Sequence, residues 1–280
     1  MKFLSVFLQR AKVKFPVMPD VQLLQASVDP NDTSELRILV EGRFVKYLTI
    51  GPGTYDADDM CFGPSLVALL PPLPSGDWNE GYISRSLKDD QVRFTYVIKA
   101  QLPAITHTWH PRFIDHLEIQ WGRKLRSNVY EATFRGVSMP IVVKFARFRF
   151  EIPQLNSETR AYNWIEGHDI GPAFLGHIVE EGRVIGFAIE HISDAQHAKP
   201  EHIDLCRHAL ARLHHLGIRH GDVNVHNFLV RKGKVTLLDF DVAQPCSDKK
   251  LLEEEIRSLE KEIHDDSARG GVVVESSRAV

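Results

Sequence analysis

Residues 220–227, His-Gly-Asp-Val-Asn-Val-His-Asn, decide the fold together with an aspartate further along the chain. Asn227 comes five residues after Asp222, and Asp239 comes twelve residues after Asn227, directly behind the apolar run 235–238. This pattern predicts one carboxylate in a loop that follows a helix. It also predicts an amide and a second carboxylate on the two strands of a hairpin.

Two carboxylates and an amide in this order suit phosphoryl transfer. The Asp222 carboxylate would orient an attacking hydroxyl group, while the oxygens of Asn227 and Asp239 would hold Mg²⁺ on the phosphates. Hard oxygen ligands are those that a hard cation such as Mg²⁺ prefers. The residues alone therefore favour magnesium-dependent phosphoryl transfer.

The order and spacing of these motifs resemble those of the protein-kinase-like superfamily. Residues 220–227 look like its catalytic loop, and residues 239–241, Asp-Phe-Asp, look like its metal-binding triplet. The resemblance implies that Asp222 is the catalytic base and that Asn227 and Asp239 hold magnesium. It covers about residues 119–265 and implies ATP and Mg²⁺ as cofactors.

The superfamily also requires a lysine on a strand and a glutamate on the helix that follows. Lys144 ends the β-branched run 141–143, and Glu158 follows in the first turn of a helix predicted to begin with a cap at Asn156 or Ser157. An ion pair would hold the lysine ammonium against the α and β phosphates. A glutamate in a first helical turn also stabilises the helix dipole, which leaves a purely structural role for Glu158 open.

Nucleotide contacts are carried over from the resemblance as expectations. The residues implied are Gly122, Val129, Val142, Lys144, Glu190, Ile192 and Leu229. Val129 and Val142 would cover the adenine, and Leu229 would form its floor. Residues 190–192 would be the hinge, and 122–129 would be the loop that covers the phosphates.

This phosphate-covering segment departs from the superfamily pattern. It keeps Gly122 and has Lys124 and Ser127 where two further glycines are usual. The backbone cradle for phosphate is thereby compromised, and Lys124 or Arg126 would neutralise phosphate instead.

Two further departures concern the acceptor. Asn224 stands where Ser/Thr protein kinases have a lysine, and Asp241 stands where they have a glycine, which is more similar to small-molecule kinases of the aminoglycoside and choline type. Yet only 41 residues follow Asp239, and the shortened architecture resembles the RIO kinases and the minimal kinase of the KEOPS complex. We expect a protein Ser/Thr hydroxyl as acceptor, with a small-molecule kinase and a non-catalytic pseudokinase scaffold as alternatives.

The predicted organisation is an α+β protein with a reduced two-lobed protein-kinase-like fold and a β-rich N-terminal extension. The extension is predicted over 1–118, the kinase-like domain with a short C-terminal lobe over 119–268, and a disordered tail over 269–280. Glu41-Gly42 predicts a hairpin turn, and the proline-rich stretch 69–77 predicts a rigid loop.

Composition restricts the possible partners. With 34 Lys and Arg against 37 Asp and Glu, the formal charge is -3, so general binding to nucleic acid or to anionic membranes is not expected. Three cysteines without CxxC spacing favour reduced thiols in the cytoplasm or nucleus. The basic residues in 1–15 leave a mitochondrial presequence as the minor alternative, and the histidines of 202–226 leave a zinc site as another.

Overall fold

The computed structural model describes residues 19–134 and 136–264, which form two compact units divided after Ala100. This division lies earlier in the chain than the boundary predicted at residue 118. The reason is that residues 113–115 form a strand of the second unit's main sheet. The predicted tail over 269–280 and the basic segment 1–15 lie outside the described residues.

The first unit is a five-stranded sheet with two short helices. Its elements are β1 (Val21–Ser27), β2 (Ser34–Val40), β3 (Phe44–Ile50), α1 (Ala57–Cys61), α2 (Gly63–Leu69), β4 (Glu80–Arg85) and β5 (Val92–Ile98). The strands lie in sequence order, and all pairs are antiparallel except β3 with β4. The hairpin predicted at Glu41-Gly42 is confirmed, since both residues adopt the positive φ angles that such a turn requires.

The second unit begins with a six-stranded sheet in the order β6-β10-β11-β9-β8-β7. Its strands are β6 (Phe113–Asp115), β7 (Ile119–Arg126), β8 (Val129–Phe134), β9 (Val137–Phe145), β10 (Phe174–Glu180) and β11 (Arg183–Glu190). Every pair is antiparallel except β6 with β10. The sheet places Lys144 on a strand with neighbours on both sides, as its apolar surroundings in sequence indicate.

Helix α3 (Ile152–Ile165) contacts β11, and its start differs from the prediction. It begins at Ile152, after a 3-10 turn at Arg149–Glu151, and not with a cap at Asn156 or Ser157. Pro153 lies in the first turn, where a fixed φ favours helix initiation. The Asn156 side-chain oxygen instead accepts hydrogen bonds from the backbone of residues 106 and 107.

This earlier start changes the position of Glu158. The residue lies in the second turn of α3, on the buried face with Leu155, Ala161 and Tyr162. It is only 2% exposed. The interpretation of Glu158 as a surface residue stabilising the first turn is therefore wrong.

The rest of the second unit packs beneath the sheet as one apolar cluster with α3. Its elements are β12 (Gln196–His197), α4 (Ile203–His215), β13 (Ile218–Arg219), β14 (Phe228–Arg231), β15 (Lys234–Leu237), β16 (Gln244–Pro245) and α5 (Lys249–Ile263). Helix α5 turns Leu259 and Ile263 into this core and contacts α4. The α+β architecture with a β-rich N-terminal part is thus confirmed. None of the helices in the described ranges has both the length and the apolar character needed to cross a bilayer.

Candidate active site

One lysine joins two carboxylates from distant parts of the chain. The Lys144 Nζ lies 2.6 Å from Glu158 Oε2 on α3 and 2.7 Å from Asp239 Oδ1, just after β15. The exposed fractions of the three side chains are 12%, 2% and 21%, respectively. The Lys144–Glu158 pair predicted from sequence is therefore present in the structure.

The charges in this cluster depend on one another. Burial alone would lower the pKa of Lys144, but the carboxylates of Glu158 and Asp239 outweigh it and raise that pKa, so the ammonium stays charged. Burial raises the pKa of Glu158, against the opposing effect of Lys144. Burial would likewise raise the pKa of Asp239, but Lys144 and then Arg126 lower it. Asp239 is thus held as a carboxylate in the absence of metal.

A second cation reaches the same carboxylate from β7. The Arg126 Nη1 lies 3.0 Å from Asp239 Oδ2, so each oxygen of Asp239 contacts a different basic side chain. Arg126 ends β7 and pairs with Val129 on β8, which in turn pairs with Lys144 on β9. Both cations therefore come from one row across three strands.

The loop 220–227 fixes the carboxylate of Asp222 through two amides. Asn227 Nδ2 donates to the Asp222 backbone carbonyl at 2.8 Å and to its Oδ2 at 3.0 Å. Asn224 Nδ2 donates to the same Oδ2 at 3.0 Å. The Asn224 oxygen also accepts from the backbone N–H of His226, which caps the 3-10 turn Val225–Asn227. Asn224, identified in the sequence as a departure, thus takes part in orienting Asp222.

A buried acid on α5 anchors the start of this loop. Glu255, 4% exposed, accepts hydrogen bonds from the backbone N–H groups of His220 at 3.1 Å and Gly221 at 2.7 Å. It also accepts from His214 Nε2 at 2.7 Å. Gly221 has φ of +86°, and a Cβ there would lie 2.9 Å from the Val242 carbonyl oxygen, so this position requires glycine.

Sequence reasoning missed Glu255. The available signal was an acidic residue on the same helical face as Leu252, Leu259 and Ile263, a face otherwise directed toward the core. An acid in that position requires hydrogen-bond donors, and the adjacent loop supplies them.

Main-chain and ring contacts connect the loop to residue 239. The Leu238 N–H donates to the Asn227 carbonyl at 2.9 Å, and His220 Nε2 donates to the Leu238 carbonyl at 2.9 Å. His220 is completely buried, as expected for a residue packed beneath the loop. These contacts hold Asn227 beside the residue that precedes Asp239. The triplet is also tied to α3, since Gln154 donates to Asp241.

Of the predicted nucleotide residues, Lys144 belongs to this polar network. Val129 is paired with Lys144 across the sheet, and Val142, Leu229 and Ile192 are half-buried. Glu190 ends β11 and is exposed. In the described ranges, neither Glu190 nor Ile192 makes a hydrogen bond or ion pair to Lys144, Asp222 or Asp239. The adenine contacts stay predictions.

Gly122 lies inside β7 and not in a loop. A Cβ at this position would lie 3.0 Å from the Glu131 carbonyl oxygen on β8, at an irregularity in the β7–β8 pairing. The close approach of the β7 and β8 backbones therefore explains why a glycine occupies position 122. The tip of the hairpin is the short turn at 127–128, so the segment offers no glycine-rich phosphate cradle.

The oxygen donors present fit Mg²⁺. Asn227 can offer its amide oxygen, since its nitrogen is engaged by Asp222, and Asp239 offers carboxylate oxygens. Mg²⁺ binds through one or two such ligands plus phosphates and water. Within 19–134 and 136–264, no three His, Cys, Asp or Glu side chains are grouped to hold a metal by themselves.

Two comparisons with known proteins give similarities to this chain. The model of the lipopolysaccharide kinase (Kdo/WaaP) family matches residues 191–270, which include Asp222, Asn227 and Asp239. A "probable bifunctional tRNA threonylcarbamoyladenosine biosynthesis protein" of Methanoculleus marisnigri is 45% identical over 49 residues. That segment is 18% of this chain and spans only 9% of the relative.

The family match does not extend to Lys144, Glu158 or the main sheet, all of which precede residue 191. It supports kinase-like phosphotransferase chemistry. Over residues 191–270 the chain is accordingly similar to the lipopolysaccharide kinase (Kdo/WaaP) family, which is consistent with a reduced and atypical kinase-like protein.

Proposed function

We propose that this protein transfers the γ-phosphoryl group of ATP, with Mg²⁺, to a hydroxyl group. One observation carries the proposal: Lys144 lies between Glu158 and Asp239, while Asp222 and Asn227 are tied by hydrogen bonds to each other and to the residue before Asp239. Phosphoryl transfer depends mainly on positioning and on charge stabilisation, and this arrangement supplies both.

Each residue then has a defined role. Asn224 and Asn227 both donate to Oδ2 of Asp222, which leaves Oδ1 to receive the proton of the acceptor hydroxyl. The acceptor oxygen forms a bond to the γ-phosphorus as the bond to the β-phosphate oxygen breaks, and ADP leaves. Lys144, fixed by Glu158, contacts the phosphates. Asn227 and Asp239 would hold Mg²⁺, which neutralises charge on the phosphates.

A Ser/Thr hydroxyl of a protein is the acceptor that we favour. In the described part of the chain, α5 is the only α-helix that follows Asp222, and it is engaged with α4 and with the loop through Glu255. Within the described residues up to 264, no large helical lobe follows the loop. An open face suits a macromolecular hydroxyl better than a small metabolite.

A small-molecule hydroxyl, such as that of a sugar, is the second candidate. Asn224 supports it, because its amide is used to hold Asp222 in the place where protein kinases have a lysine. The matching family model is described as one of lipopolysaccharide kinases, a description that names an acceptor other than a protein.

The first test is stabilisation by nucleotide. Binding to the folded state at a hundredfold excess over Kd stabilises it by about 2.7 kcal/mol. We expect ATP to raise the melting temperature of the wild type more strongly with Mg²⁺ than without it. Asp239→Asn should lose the part of the rise in melting temperature that depends on Mg²⁺. Lys144→Ala should lose most of the rise that ATP causes. The control Lys234→Ala removes an exposed lysine paired with Asp169 and should behave as wild type.

Measuring ATP turnover alongside ATP binding distinguishes a catalytic protein from one that only binds nucleotide. Asp222→Asn should bind Mg·ATP as the wild type does yet lose transfer to acceptors or to water, since it removes the base and keeps the proposed metal ligands. A panel of protein and carbohydrate acceptors distinguishes the two acceptor classes. If the folded wild type binds no nucleotide, the protein is a pseudokinase scaffold and the proposed function fails.

A further inference from the structure

The hairpin β7–β8 occupies the place of a phosphate-covering loop but has a side chain where backbone amides are expected. Gly122 is used to bring β7 close to β8, and the turn at 127–128 has no glycine. Of the two basic residues near this turn, Lys124 is exposed on the strand, whereas Arg126 reaches Asp239. Only Arg126 of this pair contacts the candidate site.

Arg126 contacts the carboxylate that would hold the metal. Its Nη1 lies 3.0 Å from Asp239 Oδ2, while Lys144 Nζ lies 2.7 Å from Asp239 Oδ1. A polyphosphate bound to Lys144 and to a metal on Asp239 would therefore lie next to this guanidinium.

We infer that Arg126 is the phosphate-binding side chain of this site and that its guanidinium replaces the backbone cradle of a glycine-rich loop. This inference rests on the proposed function. In the absence of nucleotide, Arg126 and Lys144 share the single negative charge of Asp239. When nucleotide binds, phosphate oxygens replace Asp239 as the partner of Arg126. Arginine suits this exchange because its planar fork matches phosphate and carboxylate alike.

The exposed fraction of Arg126 agrees with such an exchange. Its side chain is 33% exposed, compared with 12% for Lys144, which Glu158 holds in addition. Arg126 is bound by one carboxylate at the edge of the site, so it can change partners without leaving a fully buried charge unpaired.

The test is nucleotide affinity, measured calorimetrically in EDTA so that only the cations of the protein meet the phosphates. We expect Arg126→Ala to weaken ATP and ADP binding by roughly ten- to hundredfold, the effect typical of a lost hydrogen bond to a charged group, while adenosine binding stays unchanged. Arg126→Lys should bind ATP with an affinity between that of the wild type and that of Arg126→Ala. Arg123→Ala is the matched control, because Arg123 lies on the same strand, is 72% exposed and pairs with Glu131 at 2.5 Å.

Repeating the measurement in the Asp239→Asn variant distinguishes direct contact of Arg126 with phosphate from electrostatic screening of the Asp239 charge by Arg126. If Arg126 binds phosphate, Arg126→Ala weakens ATP binding as much in Asp239→Asn as in the wild type. If it only screens the Asp239 charge, the loss disappears in Asp239→Asn and the inference is overturned. Unchanged or tighter ATP binding by Arg126→Ala also overturns it. A wild type that binds neither ATP nor adenosine even after Mg²⁺ is added refutes the proposed function itself, and the inference with it.

Discussion

Glu255 offers the sharpest test of how the site is held together. The backbone N–H groups of His220 and Gly221 both donate to its carboxylate, and the residue is only 4% exposed. Glu255→Ala would leave the buried N–H of His220 without its acceptor, whereas the N–H of the exposed Gly221 can turn to water. An unsatisfied buried hydrogen-bonding group costs about 1–3 kcal/mol, so we expect a loss of about 2 kcal/mol in the stability of this region.

Amide hydrogen exchange and urea unfolding measure this loss directly. In the wild type, the amides of residues 220 and 221 should be protected to nearly the level of the surrounding core. In Glu255→Ala, exchange at these amides should accelerate by at least roughly thirtyfold, as expected for about 2 kcal/mol. Phosphoryl transfer should fall with it, because Asp222 follows these two residues.

A neighbouring acid on the same helix provides the control. Glu253 is 66% exposed and pairs with Arg257 one turn later, an arrangement that contributes little to stability. Glu253→Gln should change the free energy of unfolding by less than about 0.5 kcal/mol. If Glu255→Ala is equally mild and leaves residues 220 and 221 protected, the anchoring role of Glu255 is refuted.

Two further outcomes follow from the Lys144 cluster. Lys144→Ala leaves Glu158 buried without its cation and should lower the free energy of unfolding of the second unit by about 3–5 kcal/mol. Replacing Lys144 by Met and Glu158 by Leu together should restore most of this loss. A loss of under about 1 kcal/mol for Lys144→Ala in urea unfolding would contradict the prediction. Asp239 has a lowered pKa because Lys144 and Arg126 outweigh burial, so it stabilises the fold above its ordinary pKa and this contribution is lost as the pH falls. Melting curves between about pH 6 and 3 should therefore decline less steeply for Asp239→Asn than for the wild type, and equal slopes would count against the ion pairs.

Local signals in the sequence predicted local structure well. The predicted turn at Glu41-Gly42 is present because Gly42 adopts a positive φ without strain, and the strands on either side pair as expected. Lys144 and Glu158 were found together because the order of the superfamily's motifs survives in this chain, although their spacing is shorter than in many protein kinases. The ion pair was predicted from that resemblance, and its burial agrees with the rule that a buried lysine requires a carboxylate.

Features set by tertiary contacts could not be predicted in the same way. The predicted start of α3 lies five or six residues too late, because Asn156 looks like a cap but accepts hydrogen bonds from the segment at 106–107. Glu255 and Arg126 reach the site across 35 and 113 residues of sequence, and no periodicity reveals such partners. The division after Ala100 depends on a three-residue strand that pairs with β10.

The long-range character of the Asp239 contacts also has a consequence for folding kinetics. Arg126 and Lys144 are separated from Asp239 by 113 and 95 residues, whereas the hairpins β7–β8 and β14–β15 close over a few residues. Closing long loops costs more conformational entropy than closing short ones, so local hairpins form first and distant pairs later. During refolding, recovery of sheet structure should precede recovery of nucleotide binding. A pulse of proteolysis in that interval would cleave chains that are already compact but have no assembled site.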